Sequence, residues 1–358
     1  MKRVKTAELV PGMVIAEDVY SYSNQLIMPK GLILSDKSIT KLEFYSIINV
    51  RVEDDSVATA EAQVIDDRSY AERFRESEEF IRFKQNYEQE IGNFRDSINS
   101  VVSNNSELDA DDLLDHTLGL INSGDSAVDI FSMLHNLRSY DDATFVHSMN
   151  VALICNVFAR WLRMSEEDVK LATLCGLLHD LGKVFIPESI ITKPAKLTDK
   201  EYEIVKTHPQ HGYNLLKERG ANTHIMNSAL MHHERCDGSG YPLGLKDSQI
   251  DSFAKLVAIA DVYDAITSAR VYRGPLCPFT AIQIFESEGL QKYDPQYIMT
   301  FLSNVVNTYL LNRVRLSNGV EGEIIYINKD KYSCPTIKVG NKFIDLSKEP
   351  GITIEALI

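Results

Sequence analysis

Nine histidines lie in a chain of 358 residues, and five of them, His147, His179, His208, His232 and His233, share the stretch from 147 to 261 with Asp180 and Asp261. Imidazole and carboxylate donors without thiolate suit Fe, Mn or Zn rather than Ca or Mg. Seven such groups exceed what one ion uses and suit two ions sharing a bridging carboxylate and a bridging water. Cys155, Cys175, Cys236, Cys277 and Cys334 are dispersed, odd in number and free of any C-x-x-C pair. They read as reduced, mostly buried thiols. A metal here must therefore be held by His and carboxylate.

Each cluster has a plainer reading when taken alone. His147 shares a helical face with Val151, Ile154, Phe158 and Trp161, a setting equally natural for a hydrogen-bonded core histidine. His179-Asp180-Leu181-Gly182-Lys183 closes the apolar run Leu174 to Leu178. A buried His-Asp pair is costly unless its groups are paired with each other or with a metal. Asp180 is the group able to bridge, and Lys183, four residues after His179 on the same helical face, is placed to meet a phosphate. In His208-Pro209-Gln210-His211-Gly212 the Pro and Gly read as a helix start with His208 inward, and His211 stays open.

The longest signal is His232-His233-Glu234-Arg235-Cys236-Asp237-Gly238-Ser239-Gly240-Tyr241-Pro242. Neighbouring helical side chains diverge by about 100°, so a helix end must aim both imidazoles at one place. The glycines allow unusual backbone angles and the proline fixes the exit. Asp237 is expected to hold the loop, and Glu234 to orient a ligand histidine. Asp261 interrupts a small-residue inward face in the helix 254–268, where a cation is its natural partner. Asp264 reads as a structural or supporting group.

The elements that must position these residues follow from periodicity. The chain reads as mainly α: a small β-rich unit over 1–55, a helical connector over 56–111, consecutive helices over 112–313 and a small β-rich unit over 314–358. Along the connector, Tyr87, Ile91, Phe94, Ile98 and Val101 form one apolar stripe, for the next domain or for a second copy of the chain in a homodimer. With 37 basic and 51 acidic residues the net charge is −14, which argues against a long nucleic-acid partner but not against a small phosphate ligand in a local cationic pocket. Polar sequence after Met1-Lys2-Arg3, and no apolar run long enough to span a bilayer, place the expected protein in the cytoplasm without a membrane span.

With these residues in view, the sequence resembles the HD-GYP family of HD phosphohydrolases. His179 to Lys183 matches its HDxGK element, and His232 to Pro242 its HHExxDGxGYP element. Asp261-Val262-Tyr263-Asp264-Ala265 through Arg270, Tyr272 and Arg273 matches its late helix. The resemblance implies an all-α domain that hydrolyses a cyclic dinucleotide, usually cyclic di-GMP, to the linear dinucleotide or GMP through attack of a metal-bridging hydroxide. It implies one ion on His147, His179, Asp180 and Asp261 and another on Asp180, His208, His232 and His233. Lys183, Arg270 and Arg273 would meet the substrate, while Lys193 and Lys196 read as a solvated loop near the entrance. A third ion is not expected, because Ala143 stands where some members have Glu, and Asp141 and Asp142 are out of helical phase. The Gly240-Tyr241-Pro242 loop braces the His232-His233 pair or, as in the family, contacts a diguanylate cyclase domain. Cyclic GMP-AMP is the alternative substrate, and a weakly catalytic dinucleotide sensor the alternative role.

Overall fold

The computed structural model describes residues 2–20, 26–35, 38–39, 42, 47–53, 74–104, 106–121, 127–137, 143–268 and 276–358. Near the N-terminus, β1 (Lys2–Lys5), β2 (Val19–Tyr20), β3 (Leu26–Met28) and β4 (Asn49–Val52) pair antiparallel as β1 with β4 and β2 with β3. Val4, Ile15, Met28, Leu34, Val50 and Val52 are among the residues of a small core of their own.

The connector forms α1 (Glu78–Ser103), opened by Ser77, whose side chain accepts from the Phe80 amide. Phe80, Phe83, Tyr87, Ile91, Phe94, Ile98 and Val101 are all buried, because the stripe lies against α2 (Ala110–Ile121) and against α4, introduced below. Of the two coverings that the periodicity allows, the next domain or a second copy, this chain's own helices supply the first.

The helical body continues through α3 (Ala127–Asn136), α4 (Ala143–Trp161), α5 (Glu166–Leu178), α6 (Asp199–Val205), α7 (His208–Glu218), α8 (Thr223–Met231), α9 (Ser252–Thr267), α10 (Pro278–Ile284) and α11 (Pro295–Val305). Local chemistry starts several of them. The Ser165 hydroxyl accepts from the Asp168 amide ahead of an acidic first turn, Thr198 and Glu201 make a capping box, and the Asp251 and Asp294 side chains cap α9 and α11. Helices α4, α5, α8 and α9 pack on one another, and α7 lies across α8. These five deliver the histidines and carboxylates to one place.

The C-terminal strands β5 (Arg313–Leu316), β6 (Glu321–Tyr326), β7 (Thr336–Val339), β8 (Lys342–Asp345) and β9 (Ile354–Leu357) form one antiparallel sheet in the order β8-β7-β6-β5-β9. Its inner face, Val314, Leu316, Ile324, Ile337 and Ile354, joins the helical core. No helix among the described residues is long and apolar enough to cross a membrane.

Candidate metal centre

Changes of backbone direction at helix ends bring the ligand candidates together. Helix α5 stops at Leu178, so His179 is its C-cap and Asp180 the N-cap of a 3-10 turn over Leu181–Phe185. The break lets two adjacent side chains face the same interior. Gly182, inside the turn, permits a close approach. A Cβ there would fall 1.9 Å from the His208 carbonyl oxygen and 2.5 Å from the Gly212 nitrogen. Only glycine lets the 3-10 turn lie on the start of α7, which brings His208 Nε2 to 3.2 Å from Asp180 Oδ1. His232 likewise caps α8, with His233 just beyond it, while His147 and Asp261 stand inside α4 and α9.

Asp180 is the centre of the arrangement. Its Oδ2 lies 3.4 Å from His179 Nε2 and 3.6 Å from His147 Nε2, and its Oδ1 lies 3.2 Å from His208 Nε2 and 3.7 Å from His232 Nε2. Donor atoms of His147, His179 and Asp180 fall within 4.8 Å of one another, as do those of Asp180, His208, His232 and His233. Asp261 stands beside the first set, with Oδ1 2.9 Å from His147 Nε2, and faces the second through Oδ2, 3.9 Å from His233 Nδ1. All seven sequence candidates therefore converge, and neither compact set includes a cysteine.

The outer hydrogen bonds fix which ring nitrogen faces inward. Nδ1–H of His179 donates to the Gly176 carbonyl at 2.7 Å, that of His208 to Val205 at 2.7 Å and that of His232 to Ser228 at 3.0 Å. Each Nε2 is left with a lone pair aimed at the centre. His147 Nδ1–H donates to Asp264 Oδ2 at 2.7 Å, and Asp264 is held in turn by Asn150 and Ser268. His179 Nε2 and Asp180 Oδ1 are buried without a hydrogen-bond partner. Lone pairs converging on a buried carboxylate, with donor atoms unsatisfied, fit divalent transition-metal ions.

Electrostatics favours the ligating forms. Burial pushes the Asp180 carboxyl up, but Lys183 and the His179 and His208 imidazoles overcome it and leave the group well below the usual carboxylate range. Burial acts likewise on Asp261, which its hydrogen bond with His147 brings well below its ordinary value. Burial lowers His232 to about 4 and takes His233 well below the ordinary histidine value. Both rings are thus neutral near pH 7.

Two expectations need correction. Lys183 does not continue a helical face from His179. The chain changes to 3-10 geometry there, and the Lys183 ammonium rests on Asp180 Oδ2. Glu234 does not orient a histidine. It is 2% exposed and its carboxylate accepts from the Leu243, Gly244 and Leu245 amides at 2.7, 3.1 and 2.9 Å. It anchors the returning loop, which passes so close that a Cβ on Gly240 would lie 2.4 Å from the Glu234 Cα. Tyr241 then stacks on His233, ring centroids 4.5 Å apart and planes 23° apart.

Asp237 holds its loop as expected, accepting from the Ser239 amide and hydroxyl. Lys193 is paired with Glu201, and Lys196 is exposed. His211 is exposed and belongs to neither donor set. Arg270, Tyr272, Arg273, Asp141 and Asp142 lie outside the described residues. The sequence reading missed Asn150, which fixes Asp264, and Tyr87, whose hydroxyl donates to Asn150 Oδ1. The only signal for Tyr87 was its place in the connector stripe.

Comparison with known proteins gives an independent line. Residues 131–297, which span all seven candidates, match the HD domain family. The chain is 38% identical over 207 residues to a cyclic di-GMP phosphodiesterase of Pseudomonas aeruginosa, covering 58% of this chain and 50% of that protein. It is 38% identical over 165 residues to a cyclic di-GMP phosphodiesterase response regulator of Xanthomonas campestris pv. campestris, covering 45% and 43%. It is 37% identical over 170 residues to a 3'3'-cGAMP-specific phosphodiesterase of Vibrio cholerae, covering 47% and 39%. The chain spans half the length or less of these three relatives.

Proposed function

We propose that the chain is an HD-GYP member of the HD-domain proteins and a metal-dependent phosphodiesterase hydrolysing cyclic di-GMP to the linear dinucleotide, GMP or both. The observation that carries this reading is Asp180, whose two oxygens face different pairs of inward histidine nitrogens. In this assignment His147, His179, Asp180 and Asp261 hold one ion, and Asp180, His208, His232 and His233 hold the other. Fe or Mn is the expected metal and Zn suits the same donors. No third ion is included, because Ala143 offers no ligand at the start of α4.

Two ions held in this way would supply an activated water and would neutralise charge at phosphorus. The chain's own part is to bind and orient the diester. Lys183 stands at Asp180 and is the cation placed to take a phosphate oxygen. Arg270 and Arg273 are assigned to the remaining anionic oxygens. The stacking of Tyr241 on His233 favours a bracing role for the Gly240-Tyr241-Pro242 loop, whose exposed Pro242 and Leu243 are the part left for a diguanylate cyclase domain. The activity is assigned to residues 112–313, acting in the cytoplasm.

The reading is tested by metal analysis of the purified protein and by hydrolysis of cyclic di-GMP and 3'3'-cGAMP, repeated on the double variant His179→Ala/Asp180→Ala. Loss of both metal and hydrolysis in the variant is expected; retention of both rejects the site. Preference for 3'3'-cGAMP would favour the second reading, which rests on the Vibrio cholerae relative at 37% identity. Binding without cleavage by the metal-loaded protein would favour a sensor.

A further inference from the structure

Phe185 ends the 3-10 turn that Asp180 begins, two residues beyond Lys183. It is 46% exposed, and its ring centroid lies 5.6 Å from that of His211, planes 41° apart. His211 is itself exposed and stands one helical turn after His208 on α7. Isolated exposed apolar residues are ordinary. Phe185 differs in its address and its rigidity. Among the described residues the other exposed phenylalanine is Phe343, in the C-terminal sheet, whereas Phe185 and His211 each rise from a segment that carries a candidate ligand.

Those two segments are locked together. A Cβ on Gly182 would lie 2.5 Å from the Gly212 nitrogen, and one on Gly212 would lie 3.2 Å from the Gly182 nitrogen. The ring pair is therefore held in register with Asp180 and His208 rather than carried on a loose loop. At the rise of a 3-10 helix, five residues separate the Asp180 and Phe185 backbones by about 10 Å, a span that a nucleotide's ribose and base bridge.

We propose that Phe185, backed on one side by His211, is a stacking platform for one purine of the cyclic dinucleotide, so that affinity for the base is set beside the centre that takes the phosphate. The proposal rests on the phosphodiesterase reading for the identity of the ligand. Stacking tolerates any purine, so the platform favours a purine dinucleotide over a bare phosphodiester without choosing between guanine and adenine.

The test uses the full chain, metal-loaded, as wild type, Phe185→Ala and Phe185→Trp. Phe185→Ala is expected to raise KM for cyclic di-GMP about ten-fold with kcat and metal content unchanged, and Phe185→Trp to restore KM. A cyclic dinucleotide carrying 2-aminopurine reports stacking directly: its emission should be quenched by wild type and by Phe185→Trp, but not by Phe185→Ala. Unchanged KM and quenching in Phe185→Ala, a fall in kcat at constant KM, or absence of quenching in wild type overturns the platform. Hydrolysis by wild type with no effect of Phe185→Ala removes the platform and leaves the phosphodiesterase standing. Phe185-dependent quenching with no hydrolysis of any dinucleotide keeps the platform and removes the phosphodiesterase.

Discussion

Nε2 of His208 lies 3.2 Å from Nε2 of His232, while the far nitrogen of each ring donates to a backbone carbonyl. Two lone pairs at that separation repel unless a proton or cation lies between them, and His179 and Asp180 add further donor atoms to the same space. The centre is thus arranged for ions at some expense to the metal-free fold, much as other metal sites couple binding to folding.

Adding Mn(II) or Fe(II) to chelator-treated protein should therefore raise its melting temperature. At a hundred-fold excess over Kd the gain is about 2.7 kcal/mol, roughly 5 to 10 °C for a domain of this size. Calorimetric scans with and without metal measure it. The variant His208→Ala/His232→Ala should show a much smaller rise, and an equal rise in variant and wild type would place the ion elsewhere.

The bridge predicts unequal losses among ligand variants. Asp180→Ala removes a donor from both ion positions, whereas His208→Ala removes one from the second alone. Metal analysis after gel filtration should find both ions depleted in Asp180→Ala and the ion of the His147 and His179 set largely retained in His208→Ala. Equal depletion in the two variants would contradict the bridging assignment.

Asp264 acts through His147. It accepts from Nδ1–H at 2.7 Å and so fixes the ring's orientation. Replacement by Asn keeps the shape but weakens that orientation, with an expected loss of about 10- to 100-fold in metal affinity. Titration with a competing chelator reads this, and an unchanged affinity would reduce Asp264 to a packing role.

Why the seven candidates were legible in the sequence, and their supports were not, has a physical basis. A buried carboxylate or an adjacent His-His pair is expensive alone, so Asp180, Asp261, His232 and His233 announce a shared partner by type and position. The carbonyls of Gly176, Val205 and Ser228, which fix the imidazole tautomers, leave no side-chain signature. Glu234 was misread because its partners are amides nine to eleven residues ahead, reached only once the loop returns over Gly240. The apolar stripe of α1 was plain from its spacing, but spacing carries no information about which surface covers it.

Glu234 offers a direct check of that loop. Its carboxylate is buried and accepts three backbone N–H groups. Glu234→Ala should destabilise the metal-free protein by about 1.5–3 kcal/mol in urea unfolding. It should also free the segment that stacks Tyr241 on His233, and so lower metal occupancy in the set containing His233. Full stability with normal metal content would mean that the amides find other partners.

The pH dependence of the metal-free protein follows from His232. Burial holds its folded-state value at about 4, against about 6.5 in an unfolded chain. Between these values the unfolded state binds the extra proton, so stability rises with pH across this window and falls as pH drops from about 6.5 to 4. Asp180 and Asp261 have depressed values, so their contribution is lost only at lower pH, below the ordinary carboxylate value. Melting temperatures of chelator-treated protein should therefore decline from pH 7 to 4.5, with a shallower decline in His232→Asn. A melting temperature that rises on acidification would mean that the ring is charged in the fold, and the lone-pair geometry drawn for the centre would have to be abandoned.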